Sequence, residues 1–61
     1  MKTLRMHRKE EKMSLDELGR RAQVERSRLS RAERGYIVLH DEEIARVAAV
    51  FGVKRLAISA G

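Results

Sequence analysis

Sixty-one residues with a formal net charge of +5 and no cysteine describe one small domain (1–61), with no disulfide framework, thiol nucleophile or zinc site of the usual kind. A hydrophobic fraction of 43 %, no proline and only Tyr36 and Phe51 as aromatics suit a helical domain with an aliphatic core, not a β-sandwich or a disordered tail. No apolar run reaches the length of a membrane span or a signal peptide, so no membrane role is expected, a cytoplasmic location is, and the positive balance points to an anionic partner.

The first helix is predicted over residues 3–12, weakly amphipathic, with Leu4 its clearest anchor and Met13 closing it. Ser14-Leu15-Asp16-Glu17 has the form of a capping box, a serine for the first free amides and a glutamate three residues on to reach back. A second helix follows over 15–22, with Leu15, Leu18 and Ala22 at helical spacing. A short break at Gln23-Val24 leads into a third, over 26–34. Gly35 ends it, because glycine most readily takes the left-handed conformation beyond a helix end.

After the apolar loop Tyr36-Ile37-Val38-Leu39, the acidic run Asp41-Glu42-Glu43 puts negative charge at the positive end of a fourth helix, over 41–51. Ile44, Val47, Ala48 and Phe51 form its buried stripe, and Gly52 stops it. Residues 54–59 read as a short fifth helix. The sequence holds no repeat, linker or low-complexity segment. The fold class is therefore all-α, a small bundle of four to five short helices.

The charge is uneven. Between Arg20 and Arg34 stand six arginines (20, 21, 26, 28, 31 and 34) against two glutamates, Glu25 and Glu33. On a wheel of about 100° per residue, with Arg26 at zero, Leu29 and Ala32 fall at about 300° and 240° and mark the core side. Arg26, Ser30, Arg34, Ser27 and Arg31 fall at about 0°, 40°, 80°, 100° and 140°, a continuous band opposite it, with Arg28 on the flank. Such a band meets the needs of a DNA-reading helix. Arginine's planar fork pairs bidentately with guanine in the major groove or clamps phosphate, and serines keep the surface low enough to approach the bases.

These residues carry a family resemblance. SLDELGRRAQVERSRLSRAERG, followed by IARVAAVFGV, resembles the helix-turn-helix domain of the phage Cro/repressor type, the XRE-like transcription regulators: a capped helix, a tight turn, a recognition helix ending in E-x-G, and a fourth helix with its Gly-Val. The likeness spans residues 4 to about 53. It implies the lambda-repressor-like DNA-binding fold, with Leu18, Ala22, Val24, Leu29 and Ala32 in the core and Gly19 where a small residue lets two helices cross closely. It further implies that Arg26, Ser27 and Arg31 face base edges, that Arg28 and Ser30 supply base or phosphate contacts, and that Arg34 holds phosphate. Arg8 and Glu33 fall where relatives often pair the first and third helices. Arg20 and Arg21 serve either phosphate or the helix dipole.

Three positions depart from the family pattern. Leu15 stands where glutamine usually binds phosphate and braces the recognition helix. Gln23 occupies a turn position that usually holds glycine, and Glu25 replaces the common serine or threonine cap.

The apolar loop also departs from a family habit of polar residues. Either it tucks into the core, or it lies exposed and joins Phe51, Val53, Leu56 and Ile58 in a homodimer interface through Ile37, Val38 or Leu39. Regulators of this kind act as two-fold dimers on half-sites about one helical turn apart. The resemblance therefore implies a sequence-specific regulator of transcription, a repressor on a pseudo-palindromic double-stranded operator, in a bacterial or phage setting. The alternative is a protein-binding module of the same fold, such as an antitoxin, anti-repressor or adaptor. No catalytic set is visible, since His7 and His40 are the only histidines and lack a nucleophile and orienter. No cofactor, metal or small-molecule effector is expected, and the chain has no room for a separate effector domain.

Overall fold

The computed structural model describes residues 2–59. Within them lie a short strand β1 (Lys2–Thr3), helices α1 (Leu4–Glu10), α2 (Leu15–Ala22), α3 (Arg26–Glu33) and α4 (Asp41–Phe51), a single 3₁₀ turn (Arg55–Ala57) and a strand β2 (Ile58–Ser59). The fold is an all-α bundle, with β1 and β2 pairing in parallel over two residues, Lys2 opposite Ile58 and Thr3 opposite Ser59. That pairing corrects the expected helix over 54–59. Only one 3₁₀ turn forms there before Ile58 extends to meet the start of the chain.

Local chemistry sets each helix end. Thr3 Oγ1 accepts the Met6 amide at 3.2 Å, so α1 starts one residue later than expected. It also stops sooner, because Lys12 takes a left-handed conformation at φ 53°. Ser14 Oγ caps α2 by accepting the Glu17 amide at 3.0 Å, while the Glu17 carboxylate points to Arg21, one turn on. Gln23 closes α2 in the left-handed region, φ 57° and ψ 44°, the conformation for which glycine is the usual choice. Glu25 heads α3 without a side-chain capping bond. Past α3, the Gly35 amide bonds to Ala32 O and the Tyr36 amide to Arg31 O, which satisfies carbonyls that the helix end leaves free.

Leu18, Leu29 and Val47 are the largest fully buried side chains, one each from α2, α3 and α4. Leu4, Met13, Ala22, Val24 and Leu39 complete the cluster, with Ala32, Ile44 and Phe51 packed against it. Burial alternates along the loop after Gly35. Ile37 is half-buried and Leu39 buried, whereas Tyr36 and Val38 face outward. Leu39 is therefore a core residue, which corrects its assignment to a dimer interface.

Candidate nucleic-acid interface

The α2–α3 corner presents the arginine band, and three contacts fix its shape. Gly19 passes so near the following segment that a Cβ there would lie 2.7 Å from Val24 O. The Val24 amide donates back to Gly19 O at 3.0 Å, closing the turn on itself. From α4, Arg46 donates Nε to Ala22 O at 2.9 Å and Nη2 to Gln23 O at 3.4 Å. A guanidinium thus occupies the C-terminal end of α2, where free carbonyls and the helix dipole favour positive charge.

Two ion pairs anchor α3 at its flanks. Arg8 donates Nε and Nη2 to the two Glu33 oxygens at 2.7 and 3.0 Å, and Nη1 to Met13 O at 3.0 Å. One side chain so ties α1, the α1–α2 loop and the end of α3. The Glu33 hydrogen bond holds the Arg8 guanidinium above its ordinary pKa, against the opposing effect of burial. On the other flank, Arg28 donates Nε and Nη2 to Glu43, both at 2.7 Å. Glu43 Oε1 also accepts the His40 amide at 2.8 Å, capping α4. The Arg28 hydrogen bond, with the His40 amide assisting and burial opposing, brings the Glu43 carboxyl down to about 2.

This arrangement sorts the residues proposed from the sequence. Arg26, Ser27, Arg31 and Arg34 are exposed and Ser30 is half-exposed. Among the described residues no ion pair engages Arg31 or Arg34, so both guanidinium groups are free to meet an anion. Arg26 meets Asp16 of α2 at 3.1 Å. Arg28 is withdrawn from the band, because its Nε–Nη2 edge is occupied by Glu43. Arg28 thus links α3 to α4, and the base or phosphate contact expected of it competes with Glu43 for the same edge.

The apolar residues assigned to an interface separate in the same way. Val38 and Leu56 stand 68 % and 77 % exposed, and Ile37 and Val53 are half-buried. Phe51 stacks on buried His7 with ring centroids 5.5 Å apart, and Ile58 packs against the core.

Asp16, Glu43 and Arg46 contact the band or the turn behind it, contacts that no local pattern in the sequence marks. The acidic run at 41–43 signals a helix start and nothing about Arg28, and Arg46 carries no local mark of its carbonyl partners. Among the described residues no group of three or more His, Asp or Glu is arranged to hold a metal ion, and no helix is long and apolar enough to cross a membrane.

A family model described as a helix-turn-helix domain matches residues 2–59. No curated protein and no solved structure gives a significant match.

Proposed function

Since the chain belongs to the helix-turn-helix domain family, we propose that it is a sequence-specific regulator of transcription that lays α3 in the major groove of double-stranded DNA. The observation that carries this reading is the band of exposed Arg26, Ser27, Arg31 and Arg34 with half-exposed Ser30, along α3 and its C-terminal cap, on the side away from buried Leu29. Arg26, Ser27 and Arg31 meet base edges, Ser30 meets a base or a phosphate, and Arg34 holds the backbone. Phosphate contacts set the register, and base contacts choose the sequence.

The working unit of this reading is a homodimer acting as a repressor in the cytoplasm. One small domain offers few contacts, and a second copy on an adjacent half-site supplies the remainder. Exposed Val38 and Leu56, with half-buried Ile37 and Val53, offer apolar surface for it. Phe51 is half-buried and already stacked on His7, so it contributes less.

Selection of bound duplexes from a random pool tests the proposal directly. Enrichment of one sequence with two-fold symmetry, and binding that weakens steeply with salt as counterions are released, is the expected result. Failure to enrich any sequence, with retained affinity for an acidic protein, would move the band to the protein-binding alternative.

A further inference from the structure

Arg26 opens α3 and Asp16 is the second residue of α2. Their side chains meet between the two helices, with Arg26 Nε 3.1 Å from Asp16 Oδ1. Both side chains are otherwise open to solvent, at 66 % and 79 % exposure, and an ion pair so exposed adds little to folding. A carboxylate on a face that approaches phosphate also opposes binding. Its measurable consequence therefore lies in what it does to Arg26.

A guanidinium has five N–H donors, one on Nε and four on the two terminal nitrogens. Asp16 Oδ1 lies nearest Nε as a charge contact without a directed hydrogen bond, and it leaves the terminal edge free. Two parallel N–H groups on that edge match the O6 and N7 acceptors of guanine. A long side chain drawn toward a carboxylate beside Nε presents the edge in a narrower range of directions, and a reading group works best when a neighbour limits its geometry. We infer that Asp16 is a positioning residue that aims Arg26 at guanine, setting base choice at one position of the DNA site and not overall affinity. This inference rests on the DNA reading proposed above.

The test measures wild type, Asp16→Ala, Asp16→Asn and Arg26→Ala against the enriched duplex, its single-base variants and an unrelated duplex. Arg26→Ala should lose guanine preference at one base pair. Asp16→Ala should lower the preference at that same pair by about fivefold or more, with binding to the unrelated duplex unchanged or tighter because a negative charge has gone. Asp16→Asn keeps the shape of the side chain but loses its charge, so it should lose the preference as Asp16→Ala does.

If both Asp16 variants tighten binding to every duplex alike and leave the preference intact, Asp16 only repels phosphate and the inference fails. Arg26→Ala with unaltered base preferences overturns it as well, while the DNA reading stands. A wild-type protein that enriches no sequence overturns the DNA reading and the inference together.

Discussion

Gly19 and Val24 are in near-contact across the turn: a Cβ at residue 19 would lie 2.7 Å from Val24 O, closer than real Cβ atoms come to such an oxygen. The obstruction is backbone, held from the far side by Val24 N–H on Gly19 O and from α4 by Arg46 on the two preceding carbonyls. Alanine is worth about 1 kcal/mol over glycine in a helix interior, but overpacking costs about 1–3 kcal/mol. Here the clash should win. Gly19→Ala is expected to lower the midpoint of thermal unfolding and weaken DNA binding together, because α3 leaves its angle to α2. A raised midpoint would show that the corner yields.

Gln23 gives the opposite expectation four residues on. A side chain in the left-handed region costs roughly 1–2 kcal/mol, and glycine's extra freedom in the unfolded chain returns about 0.5–1 kcal/mol of that. Gln23→Gly should therefore stabilise slightly, by about 0.5–1 kcal/mol in denaturant titration. Its carbonyl still accepts from Arg46, so DNA binding should be unchanged.

Glu43 makes stability depend on acid. Its carboxyl is held at about 2 in the folded protein against an ordinary 4.5, so the unfolded chain takes up the proton first. Stability from the Arg28 and His40 contacts is fully present above about pH 4.5 and is lost as pH falls toward 2. Melting curves of wild type should drop through that window. Glu43→Gln should start lower at neutral pH and fall less steeply; parallel curves would assign the acid loss to other groups.

The Arg8–Glu33 pair is more enclosed, with side chains 14 % and 7 % exposed. Removing one partner of a buried pair costs about 3–5 kcal/mol, because the other charge is left uncompensated. Glu33→Ala should sit near the low end of that range, as Arg8 keeps Met13 O. A domain of this size has on the order of 3–9 kcal/mol in all, so the loss removes at least about a third of it and the variant should melt at a clearly lower temperature by circular dichroism. Replacing both partners with apolar residues (Arg8→Met with Glu33→Leu) should recover much of the loss.

Much of this was legible in the sequence, and the reason differs by element. Periodicity and end signals placed α2, α3 and α4 to within a residue, because caps such as Ser14 and stops such as Gly35 and Gly52 act locally. The C-terminal segment was misread because Ile58 and Ser59 owe their conformation to Lys2 and Thr3, more than fifty positions away. The sequence leaves Leu39 open between core and interface, because four apolar residues in a row give no phase of their own. The band on α3 emerged from a wheel, yet a wheel cannot say that Arg28 has Glu43 as a partner or that Asp16 reaches Arg26. Long-range pairing decides those contacts, and no spacing rule within one helix encodes it.

Three arginines of α3 and its C-terminal cap should consequently behave differently in one binding experiment. Arg31 is exposed and without an ion-pair partner among the described residues, so Arg31→Ala should cost about 1–3 kcal/mol on the selected duplex and relax the preference at one base pair. Arg34 stands beside the terminal glycine of the helix. Arg34→Ala should weaken all duplexes alike and reduce the slope of log affinity against log salt by about 1. Arg28→Ala removes a support of α4 instead, so its main effect should be a lower melting temperature with base preferences kept. If Arg28→Ala abolishes a base preference at full stability, the Glu43 pair opens on DNA and Arg28 returns to the reading face.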